Sequence, residues 1–203
     1  NEATLRYLPT GIQGCAAKVD RDEVRKNYGI PSGAFVMSYA GRHNSVKGYD
    51  SLKDAVLPML DRNANMWMIV AGKEGPLPSP SHERWIEVGW TSDPHSLIAA
   101  SDVFILPNRE TFFDLIMLEV LSLGVPIVAT DTGGNRYFRK FENVGIKLYS
   151  DSDGLAASVS AIREMSPSER QILRESNKAL FALEFGCVQF AKRYSALIGG
   201  LCG

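Results

Sequence analysis

Apolar residues in this chain fall into short unbroken runs separated by amphipathic stretches. Phe35–Gly41, Met66–Gly72, Trp85–Gly89, Val103–Pro107 and Pro126–Thr130 read as strands, several of them closed by Gly or Pro. Their hydrophobicity is continuous rather than alternating, as expected of strands covered on both faces. Between them, Leu52, Ala55, Val56, Met59 and Leu60 recur at helical spacing, and Pro58 is predicted to kink that helix. Asp93-Pro94 predicts an N-cap and first turn for a helix through Ala100, and Ser166-Pro167 does the same for one running to about Leu183. This order predicts an α/β fold in a single domain over 1–203, a parallel sheet with helices on both faces and C-terminal helices packed on it.

In such a sheet, ligands bind beyond the carboxyl ends of the strands, so the loops there are the candidates. The first holds Arg42 and Lys47 between Gly41 and Gly48. Two convergent cations on a glycine-punctuated loop fit a diphosphate, and a solvated basic loop is the alternative. Neither a Walker loop nor G-x-G-x-x-G is present. In the second, Leu115–Leu123 is almost wholly apolar and predicts a helix buried around most of its circumference, interrupted by Glu119. A carboxylate there must face a protein cation or a polar ligand such as a pair of sugar hydroxyls. The start of that helix, Phe113 to Leu115, offers free N–H groups to an anion. In the third, Gly133 and Gly134 permit backbone to approach a bound group.

With 203 residues, 45% hydrophobic, the chain can bury a core without disulfide or metal staples. Lys and Arg number 22 against 23 Asp and Glu, and the net charge of −1 removes the electrostatic case for nucleic acid. Cys15, Cys187 and Cys202 are scattered, without a C-x-x-C pair, which fits a reducing, cytoplasmic setting. No apolar run is long enough to span a membrane, and the first residues lack the features of a signal peptide. The chain begins at Asn1 without Met, leading to the expectation that it belongs to something longer. Asp151-Ser152-Asp153 is a D-x-D triplet ahead of a helical run, so Asp153 is predicted to be an N-cap rather than a metal ligand. His43, His82 and His95 share no ligand spacing. His43 is read either as a solvated loop residue or as a contact to phosphate or acceptor. The aromatic stretch Tyr137–Phe141 is read as the flank of a packed helix.

Gly41-Arg42 with Lys47-Gly48, the Glu119 helix running into Leu123-Gly124 and Val125–Thr130, and Gly133-Gly134 together resemble the nucleotide-sugar-binding half of the family 4 (group 1) retaining glycosyltransferases. Leu8-Pro9-Thr10-Gly11-Ile12 is similar to the P-N-G-I/V opening of that family's C-terminal domain, with Thr for Asn. The resemblance implies a Rossmann-like half of a GT-B fold that binds a nucleoside-diphosphate sugar and transfers the sugar with retention, without a metal or other cofactor. It implies that Arg42 and Lys47 clamp the diphosphate and that Glu119 accepts hydrogen bonds from the ribose. Val88, Gly89 and Trp90 stand where the family builds its base pocket. Glu110, Thr111, Phe113, Asp114, Leu115, Gly133 and Gly134 stand around the donor sugar and diphosphate. The acceptor, a glycan, lipid or small molecule, is expected on an N-terminal domain that this chain does not contain, as is any peripheral membrane contact.

Two positions depart from the family pattern. Thr111 stands where the first acid of E-x7-E belongs, and the nearest acid, Glu110, is one residue early, about 100° around a helix. Asp114 replaces a Gly and brings a carboxylate among amides expected to face the diphosphate, where it repels a donor unless it turns to sugar hydroxyls or caps the helix. These departures motivate a second reading, a non-catalytic nucleotide-sugar-binding partner protein. A third is a sugar-nucleotide epimerase of the same fold.

Overall fold

The computed structural model describes residues 7–200. The first six residues, on which the signal-peptide reading rests, and Cys202 lie outside the described residues. Six strands, β1 (Phe35–Ala40), β2 (Met66–Ala71), β3 (Trp85–Gly89), β4 (Val103–Leu106), β5 (Ile127–Thr130) and β6 (Ile146–Tyr149), form one sheet in the order β3-β2-β1-β4-β5-β6. Every pairing is parallel. Chain order reverses between β1 and β4, so the crevice of a doubly wound sheet opens above those two strands.

The unbroken hydrophobic runs follow from two covered faces. Phe35, Met37 and Tyr39 of β1, with Met66, Met68 and Val70 of β2, pack under α2 (Tyr49–Arg62) and α5 (Ser152–Glu164). The alternate residues Val36, Ile69 and Ala71 turn to the other face, beneath α1 (Arg21–Asn27) and α3 (Pro94–Ala99). On that same face Phe104, Leu106, Ile127 and Ala129 pack against α4 (Leu115–Leu123), which α6 (Pro167–Leu180) covers in turn. A π-helical turn at Phe181–Phe185 and α7 (Cys187–Gly199) complete the C-terminal layer. The Leu8–Ile12 segment is pinned there, with the Ile12 amide donating to Phe185 O and the Cys187 amide to Ile12 O.

Local chemistry explains most boundaries and corrects two expectations. Asp93 caps α3 through the Ser96 amide, and Ser166 with Glu169 forms a capping box on α6. α2 runs on through Pro58. Asp54, whose carbonyl loses its partner, and Pro58 are both exposed, so water can take that carbonyl while Leu52, Val56 and Leu60 hold the inner face. The N-cap of α5 is Asp151, which accepts from the Gly154 amide, whereas Asp153 lies inside the first turn. Tyr137–Phe141 belongs to a 3₁₀ segment, Gly133–Lys140, and its end. Phe138 and Tyr137 build an aromatic cluster there with Phe113, Phe141 and Phe185.

At the amino end of the sheet Asp102 is buried and fully engaged. Arg21 reaches its Oδ1 at 2.6 Å, while Arg25 and the Val36 amide reach Oδ2 at 2.9 and 2.8 Å. Burial opposes ionisation of Asp102, yet the two guanidinium groups and the amide overcome it and hold its pKa below the usual carboxylate value.

Candidate active site

The loop from Gly41 to Gly48 rises from β1 and leans against the end of β4. Gly48 sits at φ 68°, and a Cβ there would stand 1.8 Å from the Pro107 carbonyl oxygen, so only glycine lets the two loops close. The Arg109 amide donates to Val46 O and ties them again. Within this clasp the Lys47 ammonium donates to Asp114 Oδ2 at 2.5 Å, and Asn108 Nδ2 reaches the same oxygen at 2.7 Å. The other oxygen, Oδ1, accepts from the Ile116 amide and makes Asp114 the N-cap of α4. Asp114 thus occupies Lys47 as a bound anion would. Arg42 is exposed, and its guanidinium makes no ion pair or hydrogen bond among the described residues. Its carbonyl accepts from Tyr39 Oη.

A cavity of about 540 Å³ opens beside this contact, lined by Val46, Lys47, Glu110, Thr111, Phe112, Phe113, Asp114, Thr132 and Gly133. Lys47, Asp114, Phe113, Glu110, Thr111 and Gly133, singled out from the sequence, therefore share one space. The sequence expectation was that Gly133 and Gly134 admit a bound group. Gly133 lines the cavity, and a Cβ on either glycine would also strike the chain's own loop, 1.8 Å from Thr111 O and 1.6 Å from Phe112 O. Their lack of side chains lets the 3₁₀ segment seat Thr111–Phe113. Glu110 is exposed and Phe112 fully so. Leu115, the first residue of α4, is 49% exposed, against the expectation of burial at that end, while Met117, Leu118, Val120 and Leu121 are buried.

Glu119 does not line that cavity. It projects from the middle of α4 toward α3, where its Oε2 lies 3.2 Å from His95 Nε2, so its neighbour within the protein is an imidazole. Val88 and Gly89 are partly exposed at the end of β3, and Trp90 is 78% exposed beyond them.

His43 is corrected on both readings. It is fully buried, stacked on Tyr49 with ring centroids 3.9 Å apart, and its Nε2 lies 3.3 Å from Glu87 Oε1. Burial pushes its pKa below 6.5, although Glu87 and Glu74 pull the other way. Sequence reasoning missed Asn108 and His95. Asn108 follows a strand-ending Pro and gave no pattern of its own, and His95 meets Glu119 only through the packing of α3 on α4.

Sheet order and the crevice above β1 and β4 define a Rossmann-like parallel α/β domain. The model of the glycosyl transferases group 1 family matches residues 34–165, more than half of the chain, and the chain belongs to that family. The lipopolysaccharide core biosynthesis mannosyltransferase LpsB of Rhizobium meliloti (strain 1021) is 26% identical over 190 residues, covering 87% of this chain and 52% of that protein. Anabaena HepE, solved with UDP and glucose, superposes with a TM-score of 0.76 at 18% identity, over 95% of this chain and 56% of that one. The C-terminal domain of the group 1 glycosyl transferase LpcC from Francisella tularensis superposes at 0.69 and 17% identity, over 84% of this chain and 95% of that domain. The chain spans about a third to a half of the length of curated relatives it matches.

Proposed function

We propose that this chain is the donor-binding domain of a retaining glycosyltransferase that uses a nucleoside-diphosphate sugar and needs no metal ion. The observation that carries the reading is the convergence of Lys47 and the amino end of α4 on one cavity above β1 and β4, with Glu119 further along the same helix. Lys47 has three ammonium donors and spends one on Asp114, leaving two for phosphate oxygens. Arg42 is exposed on the same loop and supplies the second cation. Charge developing on the departing phosphate oxygen then meets fixed donors, each worth about 3 kcal/mol by analogy with acyl transfer. Glu119, steadied by His95, accepts from the ribose hydroxyls, and Val88, Gly89 and Trp90 flank the base. HepE crystallised with UDP supports a uridine nucleotide as the first ligand to try.

The whole enzyme on this reading includes an acceptor domain preceding this one, and the domain alone transfers no hexose. The exposed apolar side chains Val46, Phe112 and Leu115 around the crevice suit a closing lobe. A cytoplasmic setting accords with the free Cys15 and Cys187, and no described helix is long and apolar enough to cross a membrane.

One observation favours the second reading, a nucleotide-sugar-binding partner without catalysis: Asp114 already sits on Lys47. Calorimetry with UDP, GDP and ADP tests the binding that both readings share. Saturable binding weakened by Lys47→Ala and Glu119→Ala is expected, and absence of binding by every nucleotide overturns both. Turnover of a donor sugar by the full-length protein then supports transfer, whereas binding without turnover across a donor and acceptor panel supports the partner protein.

A further inference from the structure

Cys15, His95 and Glu119 lie far apart in sequence, yet the fold brings them together on three different segments. Cys15 lies on the segment leading into α1, His95 in the first turn of α3 and Glu119 in the middle of α4. The thiol sulfur, an imidazole nitrogen and a carboxylate oxygen all lie within 4.8 Å of one another, and no other such group occurs among the described residues. His95 Nε2 and Glu119 Oε2 are already 3.2 Å apart. With bonds of about 2.0–2.3 Å, a tetrahedral Zn²⁺ holds its ligand atoms about 3.3–3.8 Å from each other, so small side-chain adjustments suffice.

The backbone around the three residues is cross-tied. The Cys15 amide donates to Ser122 Oγ at 3.0 Å, and that hydroxyl donates to Glu119 O at 2.7 Å, fixing Cys15 against α4. The amides of Lys18 and Val19 both donate to Ser96 Oγ, at 2.8 and 3.0 Å, fixing the same segment against α3 beside His95. His95 and Glu119 are each 29% exposed, so a cation has access and a fourth position stays open to solvent.

We propose that Cys15, His95 and Glu119 form a three-ligand site for a borderline-soft divalent cation such as Zn²⁺, and that the cation competes with nucleotide for Glu119. The site rests on its own geometry, and only the competition rests on the reading of Glu119 as the ribose acid. Binding displaces the Cys15 thiol proton to solvent, so affinity rises with pH. The cation takes no part in transfer and acts as an inhibitor that removes the ribose acceptor.

The test uses the whole chain, freed of metal by chelator and titrated with Zn²⁺ alone in a calorimeter, with Co²⁺ as the spectroscopic probe. One equivalent is expected, with a thiolate-to-cobalt charge-transfer band. Cys15→Ser should abolish the band and weaken Zn²⁺ binding at least tenfold, whereas Cys187→Ser with Cys202→Ser should change neither. No Zn²⁺ binding, binding unaffected by Cys15→Ser, or loss on removing the other two cysteines overturns the site. UDP titrations with and without Zn²⁺ follow, in wild type and Cys15→Ser. The cation should raise the apparent Kd for UDP severalfold in wild type beyond its effect on the variant, since chelation of Zn²⁺ by the diphosphate acts on both alike. Equal effects overturn the competition. Failure of UDP and every other nucleotide to bind even in chelator defeats the donor-site reading while leaving the Zn²⁺ result to stand or fall on its own.

Discussion

Two aspartates at opposite ends of β4 are built from similar parts and differ in what is left over. Asp102, before the strand, and Asp114, beyond it, each use one carboxylate for a cation and a backbone amide. At Asp102 both cations have further backbone partners. Arg25 also donates to the carbonyls of Ala34 and Ala100, and Arg21 to that of Ser101, with the Arg25 side chain 9% exposed. At Asp114 the cation is one lysine, 28% exposed, with no second partner among the described residues. A closed network of this kind holds elements together, and an open one has capacity to bind. The physical difference is the carbonyl count around the cation rather than anything about the carboxylate.

The comparison breaks most visibly at the closed end. Asp102→Ala leaves the buried Arg25 guanidinium without its counter-charge, and the one-third-exposed Arg21 without its partner, and should cost about 3–5 kcal/mol of stability, read as a large drop in urea midpoint. Nucleotide affinity of the remaining folded fraction should be unchanged. Lys47→Ala at the open end should do the reverse, shifting stability by no more than about 1 kcal/mol. Loss of a charge-assisted bond to phosphate, about 1.5–3 kcal/mol, lowers nucleoside-diphosphate affinity by about tenfold to a hundredfold. Asp114→Asn keeps an N-cap but removes the negative charge, so affinity for a nucleoside diphosphate should rise several-fold, with that for the bare nucleoside unchanged.

The smallest effect is in pH. The folded pKa of His43 lies below 6.5, so the unfolded chain binds the extra proton first, and stability should fall as pH drops below about 6.5. Asp102 adds its own loss only further down, as pH falls below the ordinary carboxylate value of 3.8 toward its depressed folded pKa. Thermal unfolding across pH in His43→Phe and wild type separates the two, since the variant should lose only the upper step.

How much of this was legible in the sequence follows from the range of each interaction. The strands were readable because both faces are covered, which makes β2 apolar at every step and β1 at every step but Ser38, and Gly41 and Gly72 mark their ends. The caps at Asp93 and Ser166 were readable because a cap bonds within three residues. Asp151 and Asp153 were confused because both stand within reach of a helix start, and only the extended backbone at Asp151 decides between them. Lys47 and Asp114 were each legible as candidates, but their ion pair joins loops after different strands. The meeting of Cys15, His95 and Glu119 likewise depends on how the first segment, α3 and α4 stack, which no spacing encodes.

The central claim is that Lys47 is the phosphate anchor and that Asp114 holds its place. A double-mutant cycle in the calorimeter, with UDP titrated into wild type, Lys47→Ala, Asp114→Asn and the double variant, tests it most directly. The account predicts that Asp114→Asn strengthens binding only while Lys47 is present, and that the gain largely disappears in the double variant. Weaker binding on Asp114→Asn, or a gain that survives the loss of Lys47, would contradict it.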